Sequence, residues 1–149
     1  MGRVFFNTRL NFHKILADYT ALASDSGKTF LCNPTATAAI TLPAVATAGE
    51  GWNCKIVITE DTDGTVGGMD AILNVAFSDG DIVGLICSQS DVAGDYAVNG
   101  DTHVNFTAAA SPGDFVECWT DGSRWYVSGM AVDATPGTGD VLFNSGAAS

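Results

Sequence analysis

The chain has 149 residues, 46% of them hydrophobic and 15% charged, which fits one folded domain with a real core and excludes a disordered chain. Six Lys+Arg against 17 Asp+Glu give a formal net charge of −11, which excludes a basic nucleic-acid binder. With only His13 and His103 present, histidine-based catalysis has little to draw on.

The first 17 residues stand apart. They hold Arg3, Arg9 and Lys14 and no acid, a charge of +3, whereas residues 18–149 carry −14. Val4, Phe5, Phe6, Leu10, Phe12, Ile15 and Leu16 are spaced too irregularly for a helix or an alternating strand. The segment 1–17 is therefore predicted to be an extended arm that buries its aromatics on something else, an ordinary edge strand being the plainer alternative. Met1–Arg9 lacks the continuous apolar stretch of a signal peptide, and Phe6 stands where a myristoylation motif wants Ser or Thr. No run approaches the ~20 apolar residues of a membrane helix. The expectation is a soluble product of the cytosol, with neither membrane nor nucleic acid as partner.

From residue 18 the chain reads as short strands divided by turns. Asp18–Ala23 and Lys28–Asn33 flank Asp25-Ser26-Gly27, a hairpin-like signal. Ala39–Pro43 and Trp52–Thr59 alternate apolar and polar residues, and the segment 60–68 reads as a loop. Ala71–Phe77 and Ile82–Cys87 bracket a turn at 78–81. His103–Thr107 and Phe115–Trp119 follow, and Asp121-Gly122 links the latter to Trp125–Met130, the strongest hairpin signal in the chain. After the linker-like Thr135–Gly139, Val141–Phe143 forms a last short strand. The spacing predicts an all-β fold, a single β-sandwich or jelly-roll-like barrel of about eight to ten short antiparallel strands. The β domain spans 18–132, with a C-terminal tail over 133–149. Repeats of equal length are not visible, which disfavours a propeller or solenoid.

Little in the sequence spells out chemistry. Cys32, Cys54, Cys87 and Cys118 lack CxxC spacing and sit in apolar stretches, so they read as reduced, buried small hydrophobes, one or more disulfides being the alternative outside a cell. Asp61-x-Asp63-Gly64 has the start of a calcium loop, but an EF-hand register needs Gly at 66 and Glu at 72, where Val66 and Ile72 stand. It reads as a solvated turn, as does Asp79-Gly80-Asp81. No nucleophile elbow or phosphate loop occurs, and Asn105-Phe106-Thr107 is a chance glycosylation tripeptide. No catalytic residue, metal site or cofactor is expected. Trp52, Trp119, Trp125 and Tyr126 offer the material of a sugar platform. Trp119 and Trp125 lie on adjoining strands of one hairpin, so packing, including a cross-strand aromatic pair, is the expected role.

Several runs resemble a structural module of tailed bacteriophages. They are Asp18-Tyr19-Thr20-Ala21-Leu22, Asp25-Ser26-Gly27-Lys28-Thr29-Phe30, Ile40-Thr41-Leu42-Pro43, Ala48-Gly49-Glu50-Gly51-Trp52-Asn53, Gly113-Asp114-Phe115-Val116-Glu117, and the stretch from Asp121 to Gly129. Modules of this kind occur in head decoration (cement) proteins and in tail-fibre segments, and the resemblance covers about residues 18–130. It implies a non-enzymatic virion protein on the outer capsid surface. Such a protein bridges major capsid protein subunits as a homotrimer at three-fold and quasi-three-fold sites and stabilises the mature shell. A tail-fibre or receptor-binding module that recognises host glycan is the alternative it implies. On the capsid reading the basic, aromatic arm is the clamp, and its candidate contacts are Arg3, Val4, Phe5, Phe6, Arg9, Leu10, Phe12 and Lys14.

Overall fold

The computed structural model describes residues 11–59, 71–79, 82–88, 95–96, 100–132 and 141–147. Within them the strands, in chain order, are β1 (Asn11–Ile15), β2 (Tyr19–Thr20), β3 (Lys28–Cys32), β4 (Ala38–Leu42), β5 (Asn53–Ile58), β6 (Leu73–Phe77), β7 (Ile82–Ser88), β8 (Asp95–Tyr96), β9 (His103–Phe106), β10 (Phe115–Thr120), β11 (Trp125–Ala131) and β12 (Val141–Asn144). A 3-10 turn at Ala23–Asp25 and one short helix, α1 (Val45–Ala48), complete the elements. Every segment from residue 28 onward that was predicted as a strand contains one. The fold is all-β, and no described helix is long and apolar enough to cross a membrane.

Two sheets share the strands. A seven-stranded sheet runs β1-β3-β5-β10-β11-β7-β8, and a five-stranded sheet runs β12-β9-β6-β4-β2. Up to β7, consecutive strands alternate between the sheets. Same-sheet neighbours are thus two elements apart in the chain, and β1, β3 and β5 pair in parallel, as do β2, β4 and β6. This corrects the antiparallel expectation: the sheets are mixed, and β11 also meets β7 in parallel. The physical reason lies in the turns. Asp25-Ser26-Gly27 does not fold a hairpin; with Gly27 at φ 80° it carries the chain from the smaller sheet to the larger one. Turn residues serve a sheet crossing as readily as a hairpin, because both need only a sharp reversal. Asp121-Gly122 does make the hairpin predicted for it, joining the antiparallel pair β10 and β11, with Gly122 at φ 85°.

The first and last described strands lie at edges of these sheets. Residues 11–15, inside the segment read as an arm, are the edge strand β1, with His13 and Ile15 turned inward and Phe12 and Lys14 outward. Residues 141–144, inside the tail, pair with β9 as an edge of the smaller sheet.

One core cluster draws on both sheets. Phe30, Cys32, Cys54, Ile56, Ile58, Val116, Cys118, Trp125 and Val127 come from the larger sheet, and Ile40, Leu42, Leu73, Val75, Phe77, Val104 and Phe106 from the smaller. Burying side chains of this size stabilises by about 1.5–3 kcal/mol each before the cost of ordering the chain. Trp125 crosses the interface: its ring lies edge-on to Trp52 at 5.3 Å and to Phe77 at 5.7 Å. Trp119, expected to pair with Trp125, does not. Thr120 is the partner of Trp125, so Trp119 faces Tyr126 one residue further on and projects from the opposite side of the sheet. Three cysteines are buried as expected, but Cys87 is an outward residue of β7 and is exposed.

Gly84 marks a close backbone approach. A Cβ there would lie 2.2 Å from the Val127 carbonyl oxygen, on a strand held from both sides by β10 and β7. Gly84→Ala is expected to cost about 1–3 kcal/mol through overpacking. Urea unfolding should show a lower midpoint at an unchanged slope. An unchanged midpoint would mean that β7 is free to shift.

Candidate binding face of the seven-stranded sheet

Two turns fix the frame. Asp25, 3% exposed, accepts hydrogen bonds from the Tyr19 hydroxyl (2.8 Å), the Leu22 N–H (2.8 Å) and the Lys28 ammonium (2.6 Å). Burial by itself raises this carboxyl; the three donors outweigh it and hold the group below the usual carboxylate range. Trp52 straps the same turn by donating from Nε1 to the Leu22 and Ala23 carbonyls, and Gly27 N–H bonds the Asn53 carbonyl at 2.7 Å. The start of β3 is thereby locked to the start of β5. At the β10–β11 hairpin, Asp121 accepts from Ser123 N–H and hydroxyl, Arg124 N–H and the Tyr126 hydroxyl, at 2.7–3.0 Å. These bonds, led by those from Ser123, hold its carboxyl far below the usual range and fix the Tyr126 ring.

The outward side chains of the larger sheet form three rows across the strands. Nearest the hairpin are Asn53, Trp119, Tyr126 and Val83. Next come Phe12, Thr29, Lys55, Glu117, Ser128 and Leu85. Last are Lys14, Leu31, Val57, Phe115, Met130 and Cys87. The last row is apolar from Leu31 to Cys87, and Phe12 (54%), Met130 (57%) and Leu85 (51%) are among the most exposed large hydrophobics described. In these rows the charged residues are Lys14, Lys55 and Glu117, a balance of +1 on a chain of net −11. Lys55 bonds Glu117 at 3.1 Å and lies 3.7 Å from the centroid of the Phe115 ring.

Two depressions mark this face. One of about 390 Å³ lies over β3, β5 and β10 at the hairpin end, lined by Thr29, Asn53, Lys55, Glu117 and Trp119 among others. The other, of about 370 Å³, sits at the far end and is lined by Cys87, Gly113, Phe115, Met130 and Val132 among others. The smaller sheet contrasts with this. Its outward positions include Asn74 opposite Asn105, both buried, with Asn105 Nδ2 donating to the Gly146 carbonyl at 3.2 Å.

Of the arm residues proposed as contacts, Phe12 and Lys14 lie on this apolar face, at its β1 edge. Arg3, Val4, Phe5, Phe6, Arg9 and Leu10 lie outside the described residues, as do the Asp61-x-Asp63-Gly64 turn and Gly80-Asp81. Asp79 accepts a hydrogen bond from the Val45 N–H at the start of α1. His13 and His103 sit in different sheets, His13 against Tyr19 at 4.6 Å and His103 beside the Thr102 hydroxyl at 2.7 Å. Burial lowers the pKa of His103 and raises that of Cys32 to about 12, which keeps that thiol protonated. Among the described residues no group of three or more His, Cys, Asp or Glu could hold a metal ion.

Sequence reasoning missed the apolar rows, although a signal was present. Phe30-Leu31 and Ile56-Val57-Ile58 are apolar on both faces of their strands, the pattern of a sheet covered on both sides. Comparison with protein-family models, with curated proteins and with solved structures gives no significant match.

Proposed function

We propose that this chain is a structural protein of a tailed-phage virion that decorates the mature capsid. On this reading it bridges major capsid protein subunits as a homotrimer at three-fold and quasi-three-fold sites, and the pair of mixed sheets is a β-sandwich. The observation that carries the proposal is the outward apolar row Leu31–Val57–Phe115–Met130–Cys87, half-buried over its first three residues and exposed at Met130 and Cys87, continuous at the β1 edge with Phe12 and Lys14. A contiguous apolar patch with few charges is the mark of a surface that meets a partner. Its +1 balance lets it approach an acidic or apolar seat that the rest of the chain repels. The resemblance of residues 18–130 to a module of phage head decoration and tail-fibre proteins supports a virion setting, and the basic, aromatic segment at the start of the chain favours the capsid within it. A partner that binds only the mature shell stabilises it by mass action, copy by copy.

Co-sedimentation with mature, undecorated shells tests this. Binding is expected to saturate at a fixed ratio that counts the three-fold sites. Removing residues 1–10, which leaves every described strand in place, should weaken binding at least about tenfold, since Phe5, Phe6 and Leu10 each contribute about 1.5–3 kcal/mol when buried. Met130→Lys should weaken it independently. Absence of binding to shells overturns the proposal, and undiminished binding without residues 1–10 removes the arm from the interface.

A further inference from the structure

We infer that the depression beside Trp119 is a binding site for a neutral oligosaccharide. The inference goes beyond shell decoration and rests on the hairpin end of the face, away from the apolar row. Trp119, 40% exposed, is stacked on Tyr126 with the rings 13° from parallel and 5.9 Å apart. Tyr126 belongs to β11 and the depression lies over β10, β5 and β3, so Trp119 borders the groove on the side of β10 away from Tyr126. A rigid aromatic wall offered to solvent is the surface on which the C–H face of a sugar ring stacks. Tyr126 is itself tied to Asp121 at 2.8 Å, so little ordering is left for the ligand to impose.

The rest of the lining is polar in the way a sugar requires. Thr29, Asn53, Lys55 and Glu117 bring hydroxyl, amide, ammonium and carboxylate groups to one side of the indole, donors and acceptors together. The volume of about 390 Å³ falls in the range of small-molecule sites. Charge selects the class of sugar. Lys55 is matched by Glu117 at 3.1 Å, and Lys28, also in the lining, by the buried Asp25 behind it at 2.6 Å, so each cation of the groove is already paired. With a field set by a net −11, it disfavours sulfated, phosphorylated or uronic-acid polymers.

Affinity electrophoresis of the full chain in native gels containing dextran, laminarin, galactomannan or hydroxyethyl cellulose, with dextran sulfate as the anionic control, tests this. At least one neutral polymer is expected to retard the protein, and dextran sulfate is not. Trp119→Ala should lose affinity at least about tenfold, the usual cost of truncating an aromatic anchor, while Trp119→Phe keeps most of it. Both replace a surface side chain, and unchanged thermal unfolding verifies that the fold is intact. Retardation by none of the neutral polymers, equal retardation of Trp119→Ala, or binding to dextran sulfate alone overturns the inference. None of these results bears on co-sedimentation with shells, so the two proposals fail separately.

Discussion

Trp125→Ala is expected to remove about 3–5 kcal/mol of stability, a large share of the roughly 5–15 kcal/mol that holds a domain folded. Trp125 is fully buried and is the largest side chain in the core to be so. It leaves β11 of the larger sheet and reaches Phe77 of β6 in the smaller one, with Trp52 edge-on beside it. Truncation opens a cavity bounded by Phe77, on a strand held between β4 and β9, and by Trp52, tied by its Nε1 to two carbonyls, so neither moves freely to close the gap. Urea denaturation followed by far-ultraviolet circular dichroism measures the loss. Trp125→Phe makes a sharper test. The indole Nε1 is buried without a hydrogen-bond partner among the described residues, so the smaller ring removes an unsatisfied donor together with some volume. An unsatisfied buried donor costs about 1–3 kcal/mol, and its removal offsets part of the lost packing. The phenylalanine variant should therefore lie within about 1.5 kcal/mol of the wild type. A loss as large as that of alanine would show that the N–H is satisfied in solution.

Asp25→Ala is the second large effect, expected at about 3 kcal/mol. The change strips the acceptor from Tyr19, Leu22 and Lys28 at once and leaves the ammonium of Lys28 without its counter-charge. The cost sits at the lower end for a broken buried pair, because the Lys28 side chain keeps 20% of its surface in water. The pH dependence has a definite sign. The folded carboxyl titrates below its ordinary value near 3.9, so the unfolded chain takes up the proton first as pH falls. The stability difference between wild type and Asp25→Asn should be constant from about pH 5 to 8 and shrink below about pH 4, as the unfolded chain binds the proton, until the native carboxyl is protonated as well. On the alkaline side the Lys28 pKa is raised by the same hydrogen bond, so its contribution is present below the ordinary lysine pKa and fades as pH climbs through the folded one. A difference that stays flat through acid would mean that Asp25 contributes only its shape.

Strand positions were legible in the sequence because alternation survives in short windows. Phe30 and Cys32, Ile40 and Leu42, and Cys54, Ile56 and Ile58 each point inward at a period of two. Sheet membership was not legible, because nothing in Asp25-Ser26-Gly27 distinguishes a return along the same sheet from a step to the other. β1 was not legible either. Its five residues do not alternate apolar with polar: Phe12 faces outward with Lys14, and on the inward side only Ile15 is buried, so no period of two could be read. The separation of Trp119 from Trp125 turned on one residue of register, which puts the former outside and the latter in the core. The binding face needed the lateral order of seven strands before residues as distant in sequence as Lys14 and Cys87 fell into one row.

The alternating path of the chain between sheets sets the order in which it can finish folding during synthesis. β5 has its antiparallel partner in β10, and β7 finds its parallel partner only in β11, at residues 125–131. Until that stretch has left the ribosome, Ile56, Ile82 and Ile86 have no complete sheet to pack in, and the inner edges of β10 and β7 stand open. A nascent chain of this topology closes its core late and all at once, governed by long-range pairing rather than by local hairpins. Ribosomes following one another on the same message would hold several such unfinished edges close together. The interval before β11 emerges is when strand exchange between sibling chains competes most strongly with correct closure.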